Sequence, residues 1–374
     1  MSQTQPQPQP HSKTKPLSPP KKKLIVLCDG TWCGMETNTQ TNIYRLAEMI
    51  MGGHNPFNTS PTNPYIDPVR QIIACYFPGG GIGGTFLEYL FNGATGSDID
   101  QDCEEVYRYI VQHYTRDHEI WMFGLSRGAY TVRCVAGMIN NCGILTLPNI
   151  GLCNHVYQTY RSRGQTDHPA DPNMAKFRTL NSHPVPTPVK FMGLLDTVGS
   201  LGIPYLAPGI GLDFHEFYNT EISAVVEKVY HAMSIHDRLW GFEPCHAVPS
   251  RGRLGPNFEI HERWFPGCHY DIGRQRFRFL RNGRTFLERA LGFILNPLSN
   301  VIEPNHVFAD VVLKWMLNGI ALHAPPNTVI PSIPGIPAII GQLETDMMNP
   351  MRNTGNGDIY DNLPAFGPAG RLWG

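Results

Sequence analysis

The stretch Glu119-Ile-Trp-Met-Phe-Gly-Leu-Ser126-Arg-Gly-Ala-Tyr-Thr-Val-Arg-Cys-Val-Ala-Gly-Met-Ile-Asn140 changes period at Ser126. Before it, an unbroken apolar run from Ile120 to Leu125 suits a strand buried on both faces. After it, Ala129, Val132, Val135 and Ala136 recur at helical spacing. Gly124-Leu125-Ser126-Arg127-Gly128 fits G-x-S-x-G at that junction, the pattern of a sharp strand-to-helix turn. Such a turn strains the serine backbone, presents its hydroxyl at the carboxyl edge of a sheet, and needs flanking glycines where neighbouring backbone passes close.

The same strand-then-helix grammar repeats outward from this point. Lys23 to Cys28 reads as a buried strand ended by Asp29-Gly30-Thr31-Trp32, with a helix over Thr41 to Met51. Ile72 to Phe77 is a second strand, followed by a glycine-rich turn from Gly79 to Gly84 and a helix from about Ile99 to Tyr114. Later strands are expected at Val189 to Leu195, Lys228 to Ile235 and Glu259 to Phe265, and a helix at His306 to His323. Strands alternating with helices predict an α/β fold, a mostly parallel central sheet with helices on both faces. Between residues 145 and 188 the pattern fades into Pro, Asn, His and Arg, and we expect a lid-like insertion crossing the active-site end. Residues 1–20, rich in Pro and Gln, are expected to be disordered. The main domain is then 21–325, and 326–374 forms a Pro- and Gly-rich tail.

Composition sets limits. With 374 residues, 41% apolar content and a formal net charge of −1, the chain can bury a large core and has no electrostatic pull toward nucleic acid. Nine cysteines without a repeating ligand spacing read as free, mostly buried thiols, and no metal or cofactor is expected. No apolar run of membrane-spanning length occurs, so a cytoplasmic protein is expected, with Lys21 to Lys23 offering at most a transient contact with an anionic membrane surface. Nothing in the sequence sets the oligomeric state.

A serine hydroxyl is a poor nucleophile until a histidine takes its proton, and a carboxylate must orient that histidine. The chain order serine, acid, histidine points to His269, in a Gly-bounded loop directly after the last core strand. Asp196 and Asp237 each follow a strand and compete for the acid. The amides of Arg127 and of the Gly30–Thr31 loop are the expected oxyanion donors, with Asp29 and Asp271 as supporting carboxylates.

Several motifs in the same order extend this reading: Cys28 to Trp32, Gly124 to Tyr130 with Arg133, Asp196 to Gly199, His231 to Ser234, and Trp264 to Gly273. Over residues 22 to 322 the chain resembles the α/β-hydrolase family, formerly of unknown function, that includes the catalytic domains of type VI secretion phospholipase effectors. The resemblance implies ester hydrolysis, with a small-molecule or lipid ester as substrate. Where the family has an Asp-Glu-Arg run, this chain has His236-Asp237-Arg238, which favours Asp196 over Asp237 as the acid. The glycines that usually follow the last motif are replaced by Arg274-Gln275-Arg276.

Two competing functions use other features. Asp29-Gly30-Thr31 resembles an aspartyl-phosphate motif, but Leu27 stands where that chemistry expects a second aspartate. A catalytically inactive hydrolase fold could instead serve as an interaction module. The turn Gly79 to Gly84 lacks the Lys-Ser/Thr ending of a phosphate-binding loop.

Overall fold

The computed structural model describes residues 21–30, 40–79, 96–162, 164–186, 188–198, 221–237, 244–250, 255–278, 301–331 and 334–350. The N-terminal segment 1–20, Thr31, most of the Gly79–Gly84 turn and the last part of the tail lie outside these residues.

Seven strands form one sheet: β1 (Lys22–Cys28), β2 (Tyr65–Asp67), β3 (Ile72–Phe77), β4 (His118–Leu125), β5 (Val189–Leu195), β6 (Val226–Ser234) and β7 (Glu259–Phe265). Their order is β2-β3-β1-β4-β5-β6-β7. Every pairing is parallel except that of β2 with β3. The expected strands agree to within two residues at either end; the central ones are buried almost throughout, whereas β7, at the sheet edge, is mostly exposed. In β1, Leu24 and Val26 enter one core while Ile25 and Leu27 enter the other. The short antiparallel β2, only partly buried at the sheet edge, carried too little pattern to be read.

The first face is covered by α2 (Gly96–His113) and α3 (Arg127–Cys142), the second by α1 (Asn42–Ile50) and α7 (His306–His323). A short helix, α6 (His269–Gly273), closes the end of β7. Among the described residues no helix is long and apolar enough to cross a membrane. The eight described cysteines are free, and seven of them are buried.

The structure refines three expectations. The 145–188 insertion folds as α4 (Cys153–Arg161) and α5 (Pro172–Asn181), whose ends meet where Leu145 bridges Ser182. That junction lies at the C-terminal end of α3, opposite Ser126, and Tyr157 and Arg161 climb the flank of α2 to pair with Asp100. The insertion's contacts therefore thicken the helical layer, since its apolar residues Cys153, Val156 and Tyr157 belong to that core. The first part of the Pro- and Gly-rich tail packs on the main domain: Val329 and Ile330 are buried, and α8 (Gly335–Met347) packs Ile339 and Leu343 against α7. Proline 337 obscured this helix in the sequence, yet it stands in the first turn, where a missing N–H costs nothing. Lys23 is buried beside Glu119, Nζ to Oε1 3.8 Å, with its basicity lowered by desolvation. The Lys21–Lys23 run also enters the sheet at the edge opposite Ser126, so a membrane contact there would not face the site.

Candidate active site

The chain leaves the adjacent strands β1 and β4 in opposite directions, to β3 on one side and β5 on the other. Open parallel sheets bind ligands outside the carboxyl ends of their strands at such a switch. Ser126 caps β4 at this point with φ 55° and ψ −120°, a conformation that costs an L-residue about 1–3 kcal/mol. Close packing of backbone imposes the turn. A Cβ on Gly128 would lie 2.3 Å from the Cys28 carbonyl oxygen, and one on Gly124 2.5 Å from the Ala129 Cα. Both flanking glycines are thus required by the crossing of β1, β4 and α3.

Register carries the other candidates to the same edge. Leu125 pairs with Leu195, Leu195 with Ala232, and Ser234 with Phe265. Beyond the strand ends the ladder continues, with Ser126 N donating to Leu195 O at 2.9 Å and Asp196 N to Ala232 O at 2.7 Å. His269 opens α6, whose Gly273 lies against Leu125: an added Cβ there would sit 2.8 Å from Leu125 Cδ1. Asn42 of α1 fixes this helix by donating to the carbonyls of Ile272, at 3.0 Å, and Ala309, at 2.9 Å.

His269 Nδ1 lies 2.6 Å from Asp196 Oδ2, and the exposures of the two residues are 2% and 0%. Asp196 Oδ1 accepts from Ser234 N at 2.8 Å, so its carboxylate is fixed from two sides. Asp237 holds a different atom of the same histidine. Its Oδ2 accepts the His269 backbone N–H at 2.5 Å and lies 2.9 Å from Ser234 Oγ. The alternative acid therefore orients the backbone of α6, while Asp196 meets the imidazole. Asp271 braces the same turn, accepting from Cys268 N at 2.9 Å and Asn305 N at 2.6 Å, and burial raises its pKa.

Asp29 is buried and committed. Its Oδ1 accepts from Gly30 N at 2.8 Å, and its Oδ2 from the hydroxyls of Thr41 at 2.5 Å and Tyr76 at 2.6 Å. Gly30 lies beside Ser126, where an added Cβ would be 3.3 Å from Ser126 Cβ, but its amide points into the Asp29 carboxylate. This corrects the expectation that Gly30 N–H is an oxyanion donor. The Arg127 amide occupies the first position of α3, where helix geometry leaves an N–H without an intrahelical partner.

Among the described residues two groups of side chains could converge on a cation, each with three ligand atoms within 4.8 Å: Asp196, Asp237 and His269, and Glu259, His261 and His323. In the first, the closest donors already hydrogen-bond to one another. In the second, at the opposite sheet edge, Lys228 Nζ sits 2.5 Å from Glu259 Oε1, a fixed cation where an ion would bind.

A doubly wound sheet with a strained serine elbow at its switch point and a buried Asp–His pair on the same edge has the architecture of an α/β-hydrolase. The chain belongs to the family described as the type VI secretion, phospholipase effector Tle1-like, catalytic domain, which it matches over residues 22–319. A relative in Saccharomyces cerevisiae, uncharacterized protein YEL023C, is 27% identical over 250 residues, 61% of this chain and 33% of the relative. The chain thus spans about a third of that relative's length. Similar solved structures include an uncharacterized protein from Pseudomonas aeruginosa, with TM-score 0.41 and 15% identity, covering 87% of this chain and 50% of that one. Another is the Tle1 effector bound to the VgrG spike of the type 6 secretion system, with TM-score 0.36 and 14% identity, covering 90% of this chain and 81% of that one.

Proposed function

We propose that the chain is a serine ester hydrolase acting on a lipid or other acyl ester, with Ser126 as nucleophile, His269 as general base and acid, and Asp196 as the orienting carboxylate. The observation that carries this reading is the buried 2.6 Å contact between His269 Nδ1 and Asp196 Oδ2 on the edge where the elbow presents Ser126. Facing a carboxylate, Nδ1 keeps its proton, which leaves Nε2 with the lone pair needed to accept the serine proton. Ser126 Oγ bonds to the ester carbonyl carbon as its proton passes to His269. The tetrahedral intermediate collapses as the protonated histidine gives that proton to the departing alkoxide. Water, deprotonated by His269, then attacks the acyl carbon, and His269 returns that proton to Ser126 Oγ as the acid leaves. The Arg127 amide and the dipole of α3 favour the negative oxygen of the intermediate, with Thr31 as the candidate second donor.

Lipid ester as the substrate class rests on membership of a phospholipase catalytic-domain family. An aspartyl-phosphate reaction at Asp29 is disfavoured, because both carboxylate oxygens are buried and already accept hydrogen bonds. A fluorophosphonate probe tests the reading: it should label the protein at Ser126 and should not label Ser126→Ala. Unchanged labelling or turnover in that variant would remove the serine mechanism.

A further inference from the structure

The proposed acid is held in a conformation it would not choose. Asp196 has φ 44°, in the left-handed region, where an L-residue pays about 1–2 kcal/mol, and it is fully buried together with Thr197. Surrounding bonds must therefore fix the Asp196–Thr197 peptide. The backbone N–H and C=O of Thr197 are both taken. Thr197 N donates to His231 Nε2 at 3.3 Å, and Thr197 O accepts from Cys245 N at 2.8 Å.

His231 is wholly buried in β6, one strand over from Asp196, and cannot turn to satisfy other partners. Because its Nε2 faces an amide N–H, that nitrogen must carry the lone pair, and the proton sits on Nδ1. Nδ1 lies 2.9 Å from Glu262 Oε1. The same Oε1 accepts from Ala247 N at 2.6 Å, and Oε2 lies 3.2 Å from His246 Nδ1. Burial pushes the Glu262 carboxyl up, but the hydrogen bonds from His231, the Ala247 amide and His246 outweigh it and bring it down to about 2. Burial, more than any partner, lowers the basicity of His231. Arg133 of α3 fixes the outer loop by donating to the carbonyls of Cys245 at 2.7 Å and His246 at 2.9 Å.

From these contacts we infer that His231 and Glu262 are positioning residues that hold the strained Asp196–Thr197 peptide, and through it the carboxylate that orients His269. The inference rests on the serine-hydrolase reading above. Glu262 fixes the tautomer and ring orientation of His231. His231 then supplies the acceptor that the Thr197 N–H would otherwise lack in a buried setting. Arg133 ties this chain of bonds to the helix that begins at the nucleophile. Among the described residues, charged groups facing His231 include Glu262, Arg133 and Asp196, and those facing His269 include Asp196 and Asp237. Neither His231 nor Glu262 touches the reacting atoms.

The test is steady-state hydrolysis of a soluble acyl ester across pH by full-length wild type, Glu262→Ala, Glu262→Gln, His231→Gln and His231→Leu, with thermal melts to establish folding. Glu262→Ala and His231→Leu should lower kcat by about 10- to 100-fold, the range expected when a buried amide loses its acceptor or that acceptor loses its orientation, while KM stays within about twofold. A loosened Asp196 stabilises the protonated His269 less, so the acid limb of kcat/KM should move to lower pH. Glu262→Gln, whose amide oxygen can accept both the His231 and Ala247 N–H groups, should recover most of the loss. His231→Gln should fall between wild type and His231→Leu, because its side-chain oxygen can still accept from Thr197, and it keeps the test open if His231→Leu does not fold. Folded variants with wild-type kcat and an unmoved acid limb would overturn the inference, as would a loss confined to KM. The serine reading fails separately, through activity retained by Ser126→Ala. If Ser126→Ala is inert while the His231 and Glu262 variants behave as wild type, only the positioning role falls.

Discussion

Replacing Asp196 by asparagine should abolish turnover while leaving the chain folded, and the hydrogen bonds around this side chain give the size of the effect. Ser234 N is a permanent donor, 2.8 Å from Oδ1, so the new side chain must turn its carbonyl oxygen there. Its amide nitrogen then takes the place of Oδ2, 2.6 Å from His269 Nδ1. Two N–H groups cannot face each other, so Nδ1 gives up its proton and Nε2 acquires one. In that tautomer His269 cannot accept the proton of Ser126. A loss of about 10⁴ in kcat, roughly 5 kcal/mol, is expected, with apparent substrate affinity nearly unchanged. Asp237→Asn makes the internal comparison. Its Oδ2 serves the His269 backbone N–H and Ser234 Oγ, and an amide oxygen can serve both, so turnover should stay within about tenfold of wild type, roughly 1.4 kcal/mol. The assay is hydrolysis of a chromogenic ester, with melting curves for both proteins. A folded Asp196→Asn enzyme retaining more than a tenth of wild-type kcat, or an Asp237→Asn enzyme losing as much, would place the acid one strand later.

Ser126→Gly should be inactive yet more stable than wild type by about 1 kcal/mol, because glycine relieves the positive-φ strain at the elbow; an equal or lower unfolding midpoint in urea would contradict that strain. Gly128→Ala should yield little folded protein, since its Cβ would sit 2.3 Å from the Cys28 carbonyl oxygen, and a soluble, active Gly128→Ala would show that the crossing of β1 and α3 yields more than the packing implies. Chelation should leave ester hydrolysis intact, as serine chemistry needs no ion; loss on EDTA restored by magnesium or calcium would instead assign an ion to Asp196, Asp237 and His269. Stability should fall on acidification from pH 7 to 5: burial lowers the His231 pKa below the usual 6.5, so the unfolded chain binds the proton first. Urea midpoints should decline over that range and decline less in His231→Gln, and identical slopes would remove His231 from the linkage.

Much of the fold was legible because the central parallel strands β1, β3, β4 and β5 are apolar on both faces, and an unbroken apolar run needs no partner to be recognised. The G-x-S-x-G junction was equally local, since the glycines answer to backbone a few residues or one strand away. Sequence pattern also brought Asp196, Asp237 and His269 to one sheet edge, because each follows a strand. Only the tertiary structure decided which carboxylate meets the imidazole. That depends on the register of β5, β6 and β7 and on Ser234, which fixes Asp196 through its backbone N–H. Gly30 was misassigned for a related reason: where an amide points depends on the Asp29 side chain beside it. The helix over Gly335–Met347 and the flank position of the 145–188 insertion were likewise set by burial against α7 and α2. The roles of His231 and Glu262 were invisible in one dimension, since a hydrogen bond joining residues 31 apart exists only once two neighbouring strands have paired.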